Sequence, residues 1–136
     1  MTYILYLAKP KYGGWVTFTA NLALIYNSII YKITKTTELK KGSPKLRDYG
    51  YDINYRNMNI DDFLKLPNKI LITAIDKKYH YLLEKLCNKD ITIVIHDPTE
   101  IKSAKGYIIP FLKKMNVITI RKNVSEYLNN LDIPNT

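Results

Sequence analysis

Residues 89–100, KDITIVIHDPTE, predict the fold more strongly than any other part of the chain. The apolar and β-branched run at 91–95 is too short for a helix and is typical of a strand buried on both faces. His96 and Asp97 follow directly, and Pro98 ends the strand because it has no backbone N–H to donate. Ligands of open α/β sheets bind outside the carboxyl ends of the strands, so His96 and Asp97 are candidate site residues.

Short apolar runs alternate with helix-like segments along the rest of the chain. The predicted strands are residues 3–8, 29–34, 51–58, 69–74, 91–95 and 116–121. The predicted helices are residues 15–26, 60–66, 77–86, 107–115 and 124–131, and residues 99–106 are predicted to be a polar loop. This alternation predicts an α/β fold, a doubly wound and mostly parallel Rossmann-like sheet of about six strands with helices on both faces.

Length and composition predict one globular domain covering residues 1–136. The chain has 136 residues, of which 46% are hydrophobic, and this is enough for one core but too little for two. No apolar run approaches the roughly 20 residues that cross a bilayer, and the N-terminus lacks the pattern of a signal peptide. The single cysteine, Cys87, has no partner for an internal disulfide and is expected to be a buried helix residue. We therefore expect a cytoplasmic protein, in the host cytoplasm if the source is viral.

The charge balance favours a polyanionic partner. Lys and Arg number 21 against 12 Asp and Glu, which gives a net charge of +9. Such an excess suits nucleic acid, anionic lipid or nucleotide phosphates. The alternative is a Lys-, Ile-, Asn- and Tyr-rich composition that reflects an AT-rich genome.

The polar segment 35–51 is the least regular part of the chain. Its basic residues surround a Gly-Ser-Pro break and are mixed with tyrosines, a combination that suits a nucleic-acid backbone with stacked bases. A solvated connection between strands is the alternative. The candidate nucleic-acid or acceptor contacts in this segment are Lys40, Lys41, Lys45 and Arg47.

A glycine-containing loop, residues 9–14, separates the first strand from the first helix. Gly13 and Gly14 would let an anion approach the backbone, and the helix that begins at Trp15 would attract it. Lys9 and Lys11 add positive charge beside them and are also candidate acceptor or nucleic-acid contacts. The GxGxxG spacing is missing, so a tight turn between strand and helix is the competing interpretation.

Three features in chain order resemble the N-terminal domain of a GT-B glycosyltransferase of the retaining kind. They are the glycine loop, the strand that ends in His96-Asp97, and the closing strand, polar turn and helix, NVITIRKNVSEYLNNLDIPNT. Within that family the chain looks most like the phage DNA α-glucosyltransferases. The shared patterns are the helix start at residues 13–18, GGWVTF, and the hydrophobic strand into Ile95-His96-Asp97.

The resemblance implies roles for individual residues. His96 and Asp97 would face the reacting sugar as catalytic residues, and Gly13, Gly14 and Trp15 would lie at the donor diphosphate. It implies a hexosyl transfer, metal-independent and without a cofactor, from a nucleotide sugar such as UDP-glucose. A modified base in DNA is one candidate acceptor.

The resemblance also implies a second, C-terminal Rossmann domain in the same protein, because residues 1–136 match only the acceptor-side half of such an enzyme. Two other classes of function stay open beside it. One is a non-catalytic Rossmann-like module that binds a nucleotide or nucleic acid, and the other is an interaction domain that pairs through an exposed sheet edge. For His96 and Asp97 the alternative is structural, with Asp97 bonding local backbone N–H groups and His96 packing. His80, in the predicted helix 77–86, is expected to be a packing or surface histidine.

Overall fold

A six-stranded parallel sheet forms the centre of the structure, which is a computed structural model. The structure describes residues 2–8, 14–33, 55–66, 69–102 and 106–136. All strand pairs in the sheet are parallel, in the order β3-β2-β1-β4-β5-β6. The strands are β1 (Thr2–Leu7), β2 (Ile30–Ile33), β3 (Tyr55–Met58), β4 (Lys69–Ile75), β5 (Asp90–Ile95) and β6 (Asn116–Thr119). The prediction of a Rossmann-like α/β fold is confirmed.

The helices are short except for the first and the last. They are α1 (Gly14–Ile25), α2 (Ile60–Phe63), α3 (Leu83–Leu86), α4 (Thr99–Lys102), α5 (Ile109–Leu112) and α6 (Lys122–Asn130). A 3₁₀ helix, Lys77–Leu82, precedes α3. No described helix is long and apolar enough to cross a membrane.

Two hydrophobic clusters lie on opposite faces of the sheet. Strand residues alternate between the faces, so Ile4 and Tyr6 of β1 pack on the α1 side while Leu5 and Leu7 pack on the other. The buried residues of α1 recur at helical spacing, at Val16, Ala20 and Ala23. The other described helices bury their apolar residues in the second cluster. Helices therefore lie on both faces of the sheet, as in a doubly wound fold.

Part of the α1 face carries no described helix. A groove of about 440 Å³ lies there, between Phe18 and Leu22 of α1 and the residues Val94 and Ile118 of the sheet. Ile118 is 39% exposed. Parallel sheets are usually covered on both faces, so this part of the face departs from the common arrangement.

A register shift in β4 shapes the centre of the sheet. Leu5 of β1 lies opposite Ile72, but the next residue, Tyr6, lies opposite Ala74. Thr73 is therefore an extra residue, and its backbone groups leave the regular ladder. Its hydroxyl is 2.7 Å from the hydroxyl of Thr19, so the bulge is joined to α1.

Several predicted elements differ from the observed ones. The predicted helix 77–86 begins as a 3₁₀ helix, and the Asp76 side chain caps it by accepting the Lys78 backbone N–H. The predicted polar loop 99–106 begins instead with the helical turn α4. Asp97 accepts the backbone N–H of Thr99, and this side-chain bond starts the turn.

The predicted helix 107–115 is shorter than expected, since only α5 is helical within it. Pro110 lies in the first turn of α5, where its missing N–H costs no helical hydrogen bond. Cys87 was predicted to be a buried helix residue. It instead follows the end of α3 and is half-buried. Its thiol donates to the carbonyl of Glu84 at 3.1 Å.

Candidate functional site

The candidate site lies at the carboxyl ends of β1, β4 and β5. The chain leaves β1 into α1 on one face, and it leaves β4 into the 3₁₀ helix that packs in the cluster on the other face. The two connections therefore diverge from neighbouring strands. Such a switch point opens a crevice at the edge of the sheet, and it is where doubly wound folds bind their ligands.

The start of α1 stands at this crevice. Gly14 is the first residue of the helix and is exposed, and Trp15 follows it half-buried. The first turn of any helix has backbone N–H groups without partners inside the helix, and the helix dipole favours an anion there. Of the predicted donor-binding residues, Gly14 and Trp15 are thus placed at the sheet edge, whereas Gly13 lies outside the described residues.

Among the residues that the structure describes, neither packing nor backbone conformation requires a glycine at position 14. Gly106 is the described glycine with a positive φ, and Gly14 does not share that conformation. A Cβ added at Gly14 would meet no described atom within 4 Å, its chain neighbours aside. A glycine that the fold itself does not need is open to a ligand that approaches the backbone closely.

His96 is held between the bulge of β4 and the first turns of α1. Its Nε2 lies 2.7 Å from the carbonyl oxygen of Thr73, the bulged residue. Its ring centroid is 5.0 Å from that of Phe18, edge to face, and 6.0 Å from that of Trp15. The ring therefore has a fixed position beside the aromatic side chains of α1.

The protonation of His96 follows from these contacts. A carbonyl oxygen only accepts hydrogen bonds, so Nε2 carries the hydrogen that it donates to Thr73. Burial lowers the pKa of His96 below its usual range, opposed by the Thr73 bond and assisted by the positive charge of Arg121. The ring is therefore neutral near pH 7, and its Nδ1 holds a lone pair that can accept a hydrogen bond from a ligand.

Asp97 lies next to His96 but has a different environment. Its Oδ1 accepts the backbone N–H and the hydroxyl of Thr99, both at 2.9 Å, and its Oδ2 is 4.0 Å from the guanidinium of Arg121. The two Thr99 bonds lower the pKa of Asp97, so the carboxylate is charged at neutral pH. Asp97 thus makes the local cap that was the structural alternative, while one oxygen still faces Arg121.

Two residues of the site were not singled out from the sequence. Glu100 is buried beneath the His96–Asp97 turn, and its carboxylate accepts hydrogen bonds from the backbone N–H groups of His96 and Asp97. Asp97-Pro98-Thr99-Glu100 matches a helix-capping pattern, and this signal would have identified Glu100. Arg121, which is exposed, stands just beyond β6 and brings a positive charge to the same edge. Arg121 could have been identified from the sequence because it is the last residue of the predicted strand 116–121.

Asp76 occupies the carboxyl end of β4 and serves the fold. Its backbone N–H donates to the carbonyl of Leu7, which ties β4 to β1, and its side chain caps the 3₁₀ helix. Burial raises the pKa of Tyr6, and the Asp76 carboxylate adds to that rise.

His80 packs as expected. It is buried, and burial lowers its pKa. Its Nε2 has no hydrogen-bond partner among the described residues.

The predicted basic contacts fall outside the part of the chain that the structure describes. These residues are Lys9, Lys11, Lys40, Lys41, Lys45 and Arg47. Within the described ranges, no group of three or more His, Cys, Asp and Glu side chains is arranged to hold a metal ion. The site therefore consists of the first turn of α1, His96, Asp97, Glu100 and Arg121.

No family model, curated protein or solved structure matches this chain. The assignment of a function accordingly depends on the geometry and chemistry of the site. An aromatic ring, a neutral histidine with an accepting nitrogen, a carboxylate and a helix N-terminus meet at one edge of the sheet. Such a set can bind a ligand that has hydroxyl groups, an apolar ring face and a phosphate.

Proposed function

We propose that this chain is the acceptor-side half of a glycosyltransferase that binds a nucleotide sugar at the carboxyl edge of the sheet. The observation that most supports this proposal is the proximity of Trp15 and His96. They are distant in sequence, but their ring centroids lie 6.0 Å apart at the start of α1. The helix start suits the donor diphosphate, and the two rings suit the sugar. UDP-glucose is the donor that the sequence resemblance implies.

The proposed roles follow from the protonation states. The neutral His96 accepts a hydrogen bond from a sugar hydroxyl at Nδ1, because Nε2 is occupied by Thr73. The charged Asp97 stabilises the positive charge that develops on the sugar when its bond to the diphosphate breaks. The acceptor oxygen then bonds the anomeric carbon, and its proton leaves with the departing diphosphate. Arg121 adds a positive charge for that leaving group.

The proposed acceptor is a hydroxylated base in DNA, and the net charge of +9 supports a polyanionic acceptor. The C-terminal Rossmann domain implied by the resemblance is part of this proposal, since it would close over the donor.

A binding module without catalysis is the second candidate. It is favoured by one observation, the engagement of Asp97 by the backbone and hydroxyl of Thr99. A carboxylate fixed in a cap is less free to follow a reacting sugar. This candidate keeps the nucleotide site and omits the transfer step.

A ligand panel tests the proposal and separates the two candidates. Calorimetric titration with UDP-glucose, UDP and glucose should give binding that needs both the nucleotide and the sugar, with UDP weaker than UDP-glucose. Release of UDP in the presence of hydroxymethylated DNA, and not of plain DNA, is expected of the glycosyltransferase when the proposed C-terminal Rossmann domain is present. Equal affinity for UDP and UDP-glucose without UDP release would favour the binding module, and no binding of any ligand would contradict both.

A further inference from the structure

Glu100 holds the turn that presents His96 and Asp97. Its Oε2 accepts the backbone N–H of His96 at 2.7 Å and that of Asp97 at 2.5 Å. The residue is only 7% exposed. One carboxylate oxygen therefore fixes two consecutive peptide groups at the point where β5 ends.

The local sequence explains one of the two hydrogen bonds, the one from Asp97. In a capping box, an acidic residue three positions after the capping residue accepts the backbone N–H of that residue, as Glu100 does from Asp97. The bond from the His96 N–H goes beyond that pattern, and Glu100 is in addition buried. Since the His96 and Asp97 side chains leave from these two peptides, Glu100 sets the direction of both.

Among the described residues, the charges that act on Glu100 and on the turn it holds come from a small set of side chains. Burial raises the pKa of Glu100 to about 7, the N–H bonds from Asp97 and His96 oppose that rise, and the Asp97 carboxylate adds to it. Arg121, at the start of α6, acts on His96 and Asp97, and Lys102 of α4 acts on Asp97. The neutral His96 ring contributes no charge near pH 7.

We propose that Glu100 is a positioning residue whose ionisation sets the geometry of the His96–Asp97 turn. When the carboxylate is charged, two charge-assisted hydrogen bonds hold the turn, and such bonds are about twice as strong as neutral ones. When Glu100 is protonated, the turn loosens. The consequence for ligand affinity rests on the proposed function, with tighter binding of a nucleotide sugar above neutral pH than below it.

Backbone NMR tests the positioning directly and needs no ligand. The ¹H–¹⁵N resonances of His96 and Asp97 would be followed from about pH 5.5 to 8.5 in the wild type, in Glu100→Gln and in Glu126→Gln. Glu126, exposed on α6, is the matched control. We expect both resonances to shift with a midpoint near pH 7 in the wild type and the control, and to show no such step in Glu100→Gln, whose amide accepts hydrogen bonds but does not ionise.

A second variant covers the case in which Glu100→Gln does not fold. His96→Gln removes the imidazole titration, so a step that persists at Asp97 near pH 7 belongs to Glu100. The inference is overturned if no step occurs near pH 7 in the wild type, if the step survives in Glu100→Gln, or if it disappears in His96→Gln.

Ligand titration at about pH 6 and pH 8 separates this inference from the proposed function. UDP-glucose should bind the wild type about three- to tenfold more tightly at the higher pH, which is roughly 0.7–1.4 kcal/mol. Glu100→Gln should bind with the same affinity at both values. Resonances that titrate as expected in a chain that binds no nucleotide sugar would support the positioning role and contradict the proposed function.

Discussion

Among single residues, Glu100 links the stability of the chain to the order of its site. A carboxyl group that is buried and also bonded to two N–H groups is subject to opposing effects, because burial disfavours its charge and the hydrogen bonds favour it. Burial is the larger effect here, since the pKa is raised. The charged form that holds the His96–Asp97 turn most firmly is thus the form that costs the fold stability.

The pH dependence of stability has a definite sign. The pKa of Glu100 is raised from 4.5 to about 7, so the folded chain binds this proton more tightly than the unfolded chain. The stabilisation is fully present below about pH 4.5 and is lost as the pH rises through about 7. A shift of that size corresponds to roughly 3 kcal/mol of unfolding free energy.

Urea unfolding of the wild type and Glu100→Gln at about pH 5 and pH 8.5 measures this effect. Relative to the variant, the wild type should lose roughly 2–3 kcal/mol between the two values, because glutamine does not ionise. The exposed Glu126→Gln variant should follow the wild type. Curves for the wild type and Glu100→Gln that run parallel with pH would refute the assignment.

His96 shows what residue patterns could and could not predict. Its place after a buried strand follows from the apolar run before it and from Pro98 after it. Its bond to the carbonyl of Thr73 does not, because it depends on a register shift in another strand. The proximity of Trp15 likewise depends on how α1 crosses the sheet, so sequence spacing gave no sign of it.

At the scale of elements, buried strands were the best predicted and short helices the worst. β5 was predicted almost to its ends because a continuous apolar run has few alternatives. α4 was missed because it has only 4 residues, too few to show helical periodicity, and only its capping residues mark it. The 3₁₀ form of Lys77–Leu82 was missed because 3₁₀ and α helices bury similar positions over so short a length.

The bulge in β4 connects the elements of the site. The hydroxyl of Thr73 is hydrogen-bonded to Thr19 of α1, and its carbonyl accepts a hydrogen bond from His96, which follows β5. The Thr19 hydroxyl has one hydrogen and lies 2.8 Å from the carbonyl of Trp15, so it donates there and accepts from Thr73. The bulge therefore fixes the start of α1 relative to His96, which rigid positioning of a ligand requires.

On the scale of the whole molecule, the strand order locates the proposed site and the net charge supports a polyanionic acceptor. The order β3-β2-β1-β4-β5-β6 places the switch point between β1 and β4, where α1 begins. Sequence periodicity predicted six parallel strands but not their order, because order depends on contacts between distant segments. The resemblance to glycosyltransferases supplies the substrate class and stays a proposal.

The net charge of +9 leads to a prediction about DNA. If a DNA acceptor lies on this chain, duplex affinity should fall steeply with salt, with a slope in log–log coordinates of about −0.9 for each phosphate neutralised. Fluorescence anisotropy at two or more salt concentrations measures it. Base-hydroxymethylated and plain duplexes should share the slope and differ in affinity. An absence of binding at low salt would remove DNA as the acceptor.

A matched pair of glycine substitutions tests the central claim, that a nucleotide sugar lies against the start of α1. Gly14→Ala adds a methyl group that meets no described atom beyond its own helix and chain neighbours, and it needs no unusual backbone conformation, so the fold should keep its stability. Gly106→Ala places a side chain at a φ of +85°, which should cost about 1 kcal/mol of unfolding free energy.

The decisive measurement is the UDP-glucose affinity of these two variants by calorimetry, beside the wild type. We predict that Gly14→Ala weakens binding about tenfold or more while remaining as stable as the wild type, and that Gly106→Ala is less stable but binds normally when folded. Wild-type affinity in Gly14→Ala would contradict the placement of the donor at α1, and with it the proposed site.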